Sequence, residues 1–258
     1  MTSAMLSTSG LHAGYGDIKV LRGIDLDVEP GRITAVLGAN GAGKTTLLST
    51  IAGIVPSTAG SVRLGEVDVS HLPARRRARL GLAMVQEGKR VFHRRTVREN
   101  LLLGGAWLPK AQRLAGVQRS LEMFPILDEM SHLGASTLSG GQQQMLAIGQ
   151  ALVPEPDVIM LDEPSAGLAP VIVKAVWETI EELREAGKAV LLVEQLVPQT
   201  LAIADRVLVL DRGHVVIDQD AHQVSEADVR NIYLRGGVAK LAADAEPQPT
   251  TRPPQPLE

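Results

Sequence analysis

One short segment, Gly38-Ala39-Asn40-Gly41-Ala42-Gly43-Lys44-Thr45, constrains this chain more than any other. The apolar run from Ile33 to Leu37 reads as a buried strand, and Lys44 to Ile54 reads as a helix. A glycine-rich turn between strand and helix, closed by Lys-Thr, is the pattern of a phosphate-binding loop. Its glycines let the backbone wrap closely around phosphates, with amide hydrogens pointing inward. The helix N-terminus adds partial positive charge. On this reading Lys44 reaches the β- and γ-phosphates and Thr45 ligates magnesium.

A loop of this kind needs a sheet behind it, and the rest of the sequence supplies one. Val158 to Leu161 and Val190 to Val193 read as further buried strands. Between them Val173, Val176, Ile180 and Leu183 recur at helical steps, and Gly187 is placed to end that helix. Strand, helix, strand implies a parallel sheet with helices on its faces. Ile18 to Pro30 and Gly60 to Val69 alternate loosely between turn residues and suggest antiparallel strands. From about 88 to 153 the pattern is mostly helical, and Thr96 with Glu99 forms a capping box before Leu101. The expected architecture is α/β: a phosphate-loop NTPase core (about 6–87 and 154–240), an N-terminal antiparallel β subdomain, and an inserted α-helical subdomain (about 88–153). The last eighteen residues, 241–258, hold five of the fifteen prolines and read as a disordered tail.

Composition removes several alternatives. Lys and Arg number 26 against 29 Asp and Glu, a balance unlike that of a nucleic-acid coat. Aromatic residues are 2 %, too few for a platform that stacks single strands. With no cysteine, thiolate metal sites and cysteine nucleophiles are out, and the six histidines show no metal-ligand spacing. No apolar run is long enough to span a bilayer, and Met1 to His12 lacks the basic start and apolar stretch of a secretory leader, so the expected location is cytoplasmic. Nine of the 26 basic residues (Arg75, Arg76, Arg77, Arg79, Lys89, Arg90, Arg94, Arg95 and Arg98) fall within 24 positions; with no reading motif or interleaved aromatics they read as a solvated face, or one that docks membrane subunits, rather than a nucleic-acid patch. Trp107 and Trp177 read as packing residues; Phe92 reads equally as core or as groove-facing.

Two further segments carry chemistry. The strand from Val158 ends in Asp162 and Glu163: Asp162 would hold magnesium through water, and Glu163 would polarise an attacking water. Leu138-Ser139-Gly140-Gly141-Gln142 opens a helix. Its two glycines cost helix stability without an evident packing gain, and suit an anion approached by bare amides.

Over about residues 6–235 this ordered set resembles the ATP-binding subunits of ABC transporters. Gly38 to Thr45 resembles Walker A, Leu138 to Gln142 the ABC signature, and Val158 to Glu163 Walker B. The resemblance implies ATP and Mg2+, with ATP contacts at Tyr15 (the adenine-stacking aromatic), Gly38, Asn40, Gly41, Ala42, Gly43, Lys44, Thr45 and Thr46. Gln86 falls at the Q-loop glutamine, and with Thr45 and Asp162 makes the implied metal set. Glu163, Gln86 and Gln195 make the implied catalytic set; Gln195 replaces the family's switch histidine. Ser165 to Leu168 lies at the D-loop. Two cassettes would face head to tail, so that Ser139, Gly140, Gly141 and Gln142 serve the partner's nucleotide.

Glu87 to Phe92, Gln143 to Gly149, Pro164 to Pro170 and Val193 to Gln195 together look like the second ATPase of branched-chain amino acid importers. That implies a partner ATPase (the same chain or another), integral membrane permeases, an extracytoplasmic solute-binding protein, residence at the cytoplasmic face of the membrane, and no nucleic acid. Importers of urea or short-chain amides are the main alternative, and a lipopolysaccharide exporter's ATPase is a more distant one. A soluble relative acting on DNA or ribosomes fits less well, because those chains usually carry two cassettes or a long coiled coil.

Overall fold

In the computed structural model, residues 4–88 and 90–234 are described. The expected proline-rich tail, 241–258, lies outside them, as does Lys89. Strands β1 (Leu6–Tyr15), β2 (Ile18–Val28), β4 (Ser57–Leu64) and β5 (Val67–Asp68) form an antiparallel sheet in the order β2-β1-β4-β5. Strands β3 (Ile33–Gly38), β6 (Leu82–Val85), β7 (Val158–Asp162), β8 (Ala189–Glu194), β9 (Arg206–Asp211) and β10 (His214–Asp220) form a second sheet in the order β10-β9-β3-β8-β7-β6. It is parallel from β9 to β6, and β10 joins antiparallel at one edge. Every residue of β3, β7 and β8 is buried, as central strands covered on both faces require. Strand β10 is largely exposed, as an edge strand can be.

Helix α1 (Lys44–Ile51) follows β3 directly. Its Leu47, Leu48 and Ile51 share one core with Leu11 and Leu26 of the antiparallel sheet and with Met160, Leu191 and Val193 of the parallel one. The helix opened by the glycine-rich loop is therefore packed between two sheets. Burying each such side chain contributes about 1.5–3 kcal/mol relative to exposure. The other face of β7 and β8 presents Ile159, Leu161, Val190 and Leu192 to a second core. That core holds Leu101 of α3 (Val97–Gly104), Leu121 of α4 (Lys110–Met123), Leu127 of α5 (Pro125–Glu129), Leu146 of α6 (Gly140–Leu152) and Ile180 of α7 (Pro170–Glu185). A third cluster joins the outer part of β3 and β9 to α8 (Val197–Ile203) and to Tyr233, in the helical residues 226–234.

Several expectations need correction. Helix α1 ends at Ile51, not Ile54, because Gly53 takes φ 76° and turns the chain. Arg77 is not part of a basic surface. It lies buried in α2 (Ala74–Arg79), and its guanidinium donates to the carbonyls of Thr50 (3.0 Å) and Ile51 (2.7 Å), to Leu72 (2.9 Å) and to Ser70 (2.8 Å). A cation on the last carbonyls of α1 also complements that helix's dipole. Trp107 is not core: it follows α3 and borders a cavity, whereas Trp177 is buried on α7. One glycine of the 138–142 segment, Gly141, does have a packing reason. A Cβ on Gly141 would come 2.5 Å from Ile172 Cγ2, so this position seats α6 against the start of α7. The Ser139 hydroxyl accepts from the Gln142 amide at 3.3 Å, and Gln142 returns a 2.8 Å bond from the Ser139 amide, a capping box like that at Thr96 and Glu99.

Removing the Arg77 cap leaves buried carbonyls without donors. Arg77→Ala is expected to cost about 3 kcal/mol of stability, while Arg75→Ala at an exposed neighbour stays within about 0.5 kcal/mol. Chemical denaturation of the two variants measures this. Equal, small effects would show that the guanidinium does not hold α1.

Candidate nucleotide-binding site

Register across the parallel sheet brings the chemistry together. Val36 of β3 pairs with Val193 of β8, and Val193 pairs with Asp162 of β7. The residues that follow these positions leave the sheet side by side at its carboxyl edge, where open α/β sheets bind ligands. There the phosphate-type loop, the Asp162–Glu163 pair and Gln195 border one cleft of about 540 Å³. Asn40, Gly41, Gly43, Lys44, Thr45 and Thr46 line it from the loop; Glu87, Glu163 and Gln195 line it from neighbouring strand ends, and Val20 from the antiparallel sheet.

The loop's conformation depends on glycine at one point above all. Gly43, the residue that opens α1, has φ 113°, where an L side chain is strained. Lys44 is 5 % exposed and its Nζ donates to the Gly38 carbonyl at 2.8 Å, folding the ammonium back over the loop. It also lies 3.4 Å from Glu163 Oε1. Thr45 donates its hydroxyl to Asp162 Oδ1 at 3.4 Å. Glu163 itself has φ 46°, a costly backbone state for a non-glycine residue, and its amide donates to the Val193 carbonyl at 2.9 Å.

Asp162 is buried, and that burial pushes its carboxyl up from 3.8 to about 6. The Thr45 hydroxyl and Lys44 oppose the rise, and the Glu163 and Glu87 carboxylates add to it. A charged Asp162 is thus undercompensated by the chain alone. A hydroxyl and a carboxylate oxygen side by side are hard donors of the kind magnesium takes, usually as one or two protein ligands completed by phosphate and water. The residues fit that ion. Among the described residues no group of three or more His, Cys, Asp or Glu forms a site that could hold a metal by itself.

Gln86 and Tyr15 stand outside this cleft, and so does the Ser139–Gln142 turn, expected to serve a partner's nucleotide. Gln86 does not line this cleft. Strand β6 ends at Val85, consecutive residues beyond it face opposite ways, and so Gln86 borders a separate cavity of about 420 Å³ while Glu87 turns to the cleft. Tyr15 stands at the β1–β2 turn, half exposed, and Val20 is the residue from this region that meets the cleft. Ser139 to Gln142 lies at the start of α6 and contributes nothing to this chain's own cleft lining.

Other participants had weak sequence signals. Glu194 is buried at the end of β8 and accepts from the Ser165 amide (Oε1, 3.0 Å) and the Gln195 amide (Oε2, 3.0 Å), joining the two loops that flank Glu163. An acid ending an all-apolar strand was its only sign. Tyr233 is partly buried with its hydroxyl inward, near the Gly38 backbone, and this burial pushes its phenol up to about 12. Asn100, fully buried on α3, accepts from the Phe92 amide (2.7 Å) and donates to the Phe92 (3.1 Å) and Thr96 (2.9 Å) carbonyls. It fixes the segment that leaves Phe92 52 % exposed, which decides against a core role for that ring.

A buried sheet, a glycine loop opening a helix and an acid pair at the end of a parallel strand one place removed from that loop's strand define a phosphate-loop NTPase. Within that class the chain belongs to the ABC transporter family, whose sequence model matches residues 21–166. The high-affinity branched-chain amino acid transport ATP-binding protein BraG of Pseudomonas aeruginosa is 44 % identical over 233 residues, 90 % of this chain and 100 % of that protein. The protein named "Probable branched-chain amino acid transport ATP-binding protein LivF" of Archaeoglobus fulgidus is 38 % identical over 86 % of this chain and 94 % of its own length. Among solved structures, a nucleotide-free ATP-binding cassette from an ABC transporter superposes with a TM-score of 0.78 at 26 % identity, covering 93 % of this chain and 98 % of that one. Among the described residues no helix is long and apolar enough to cross a membrane.

Asp162 gives a signed test. Its folded pKa is raised, so the neutral form is the stabilising one below about 6, and that contribution is lost as pH rises through 6. Nucleotide-free Asp162→Asn is therefore expected to melt higher than the parent chain near pH 8, with the gap closing toward pH 5. Its affinity for magnesium-nucleotide should fall at the same time. Scanning fluorimetry across this pH range measures it; a gap that widens as pH falls would contradict the assignment.

Proposed function

We propose that this chain is the ATP-hydrolysing subunit of an importer for branched-chain amino acids. The observation that carries it is the convergence of Lys44, Thr45, Asp162 and Glu163 on one cleft in a chain this similar to BraG. Lys44 and the amides around Gly41 and Gly43 bind the phosphates; Thr45 and Asp162 hold magnesium. Magnesium, when bound with ATP, neutralises phosphate charge. Glu163 orients a water for in-line attack on the γ-phosphorus and takes its proton, while the bond to the bridging oxygen breaks and ADP leaves. The signature at Ser139 to Gln142 faces the nucleotide of a second cassette. That none of these residues lines this chain's own cleft supports a role in trans.

The partners follow from the other surface. The cavity of about 420 Å³ lies where β6 and the residues just after it meet α3 and α6, lined by Met84, Gln86, Leu103, Trp107 and Ala147. We assign it to a cytoplasmic segment of the membrane permease. Apolar lining, an exposed Phe92 anchored by Asn100, and Gln86 at the junction support that reading. A solute-binding protein on the far side of the membrane would deliver the substrate, and the cassette would work at the cytoplasmic face.

Co-purification with permeases encoded beside it, followed by uptake of labelled leucine and urea into proteoliposomes, tests the assignment. ATP-dependent leucine uptake is expected, and Lys44→Ala is expected to lower ATP turnover by about 100-fold or more. Uptake of urea without leucine would move the chain to the amide importers. Undiminished turnover in Lys44→Ala would remove the phosphate-loop assignment itself.

A further inference from the structure

Gln195 stands one residue beyond β8, and its side chain joins three separate segments. Its Nε2 donates to Asn40 Oδ1 at 2.7 Å and to Glu163 Oε1 at 2.7 Å. Asn40 belongs to the phosphate loop, and Glu163 follows β7. The backbone that carries Gln195 is itself held, because its amide donates to the buried Glu194 carboxylate at 3.0 Å. Lys44 Nζ approaches the same oxygen of Glu163 at 3.4 Å. Glu163 is thus gripped through Oε1 from two sides, on a backbone held at φ 46°.

Resting on the nucleotide reading above, we propose that Gln195 is a positioning residue that acts through Glu163 rather than through the phosphate, with Asn40 as its second anchor. The chemistry of the side chain favours this. An amide nitrogen carries two hydrogens and serves both acceptors from one atom, whereas an imidazole nitrogen carries at most one. The amide also keeps the same charge and donors across the pH range in which a histidine switches. Held through one oxygen, the Glu163 carboxylate presents the other in a single orientation, which is what a base that must meet one proton of one water requires. Losing the grip leaves the carboxylate in place but free to turn, so the cost falls on turnover and not on ATP affinity.

The test compares Gln195→Ala, Gln195→Glu, Glu163→Gln and the double variant Glu163→Gln/Gln195→Ala in the full chain assembled with its permeases. Two quantities are read: single-turnover hydrolysis, and affinity for a fluorescent ATP analogue with magnesium. Gln195→Ala is expected to slow turnover by about 10–100-fold, with the dissociation constant changed less than about 3-fold. Gln195→Glu, which cannot donate and brings a second carboxylate toward Glu163, should slow it at least as much. In the Glu163→Gln background the alanine substitution should change the rate by less than about 3-fold, since the residue it acts through is gone. A dissociation constant raised about 10-fold in Gln195→Ala would overturn the proposal, and so would unchanged turnover or a full second loss in the double variant. Absence of analogue binding to the unsubstituted chain would instead bring down the nucleotide reading, and this proposal with it.

Discussion

The alignment of strands β3, β8 and β7 is the constraint on which the molecule depends. Hydrogen-bond register sets Val36, Val193 and Asp162 in one row. A slip by one residue would turn Asp162 into the opposite core and move every buried side chain to the wrong face. Register is held hard here because both faces are packed: Met160 and Leu191 face one core, Ile159 and Leu192 the other. Three loops that are far apart in sequence therefore leave the sheet at a common edge, at distances set by the 4.7–4.9 Å strand spacing, about the reach of a triphosphate and its ion.

Charge in the cleft is arranged around a ligand. Lys44 is buried against the loop's carbonyls and beside Glu163, and Asp162 is raised to about 6 because burial is not fully offset by the Thr45 hydroxyl and Lys44. An anionic phosphate would satisfy the first and, on the proposed reading, a divalent cation the second, so that filling the site would relieve an imbalance already present. Buried acids elsewhere are treated differently. Glu194 spends both oxygens on backbone amides and serves as a joint between loops, which keeps Ser165 and Gln195 in place whether or not the cleft is filled.

Much of this was legible in the sequence, for stated reasons. The glycine loop, the strand ending in Asp162 and Glu163, and the capping box at Thr96 and Glu99 are local patterns, and local geometry alone enforces them. What escaped depends on the fold. Strand β1 was hidden by the glycines and bulges that interrupt its alternation, and β10 by its polar, one-sided exposure. Arg77 looked like one more surface charge, yet five donors on a planar head can serve carbonyls brought together from two segments, the end of α1 and residues 70–72. Gln86 and Glu87 exchanged places because a strand end decides which of two neighbours faces the cleft. Gly141 was read as a place for an anion; its contact with Ile172 shows that the same glycine also lets two helices approach.

The central claim is that nucleotide joins two cassettes, the loop of one and the Ser139 turn of the other. Sedimentation of the Glu163→Gln chain with and without magnesium-ATP tests it most directly. ATP-dependent conversion of monomer to dimer, abolished when Ser139→Arg is added, is the predicted result. A monomer that binds ATP and stays a monomer, or a dimer indifferent to Ser139→Arg, would contradict the account.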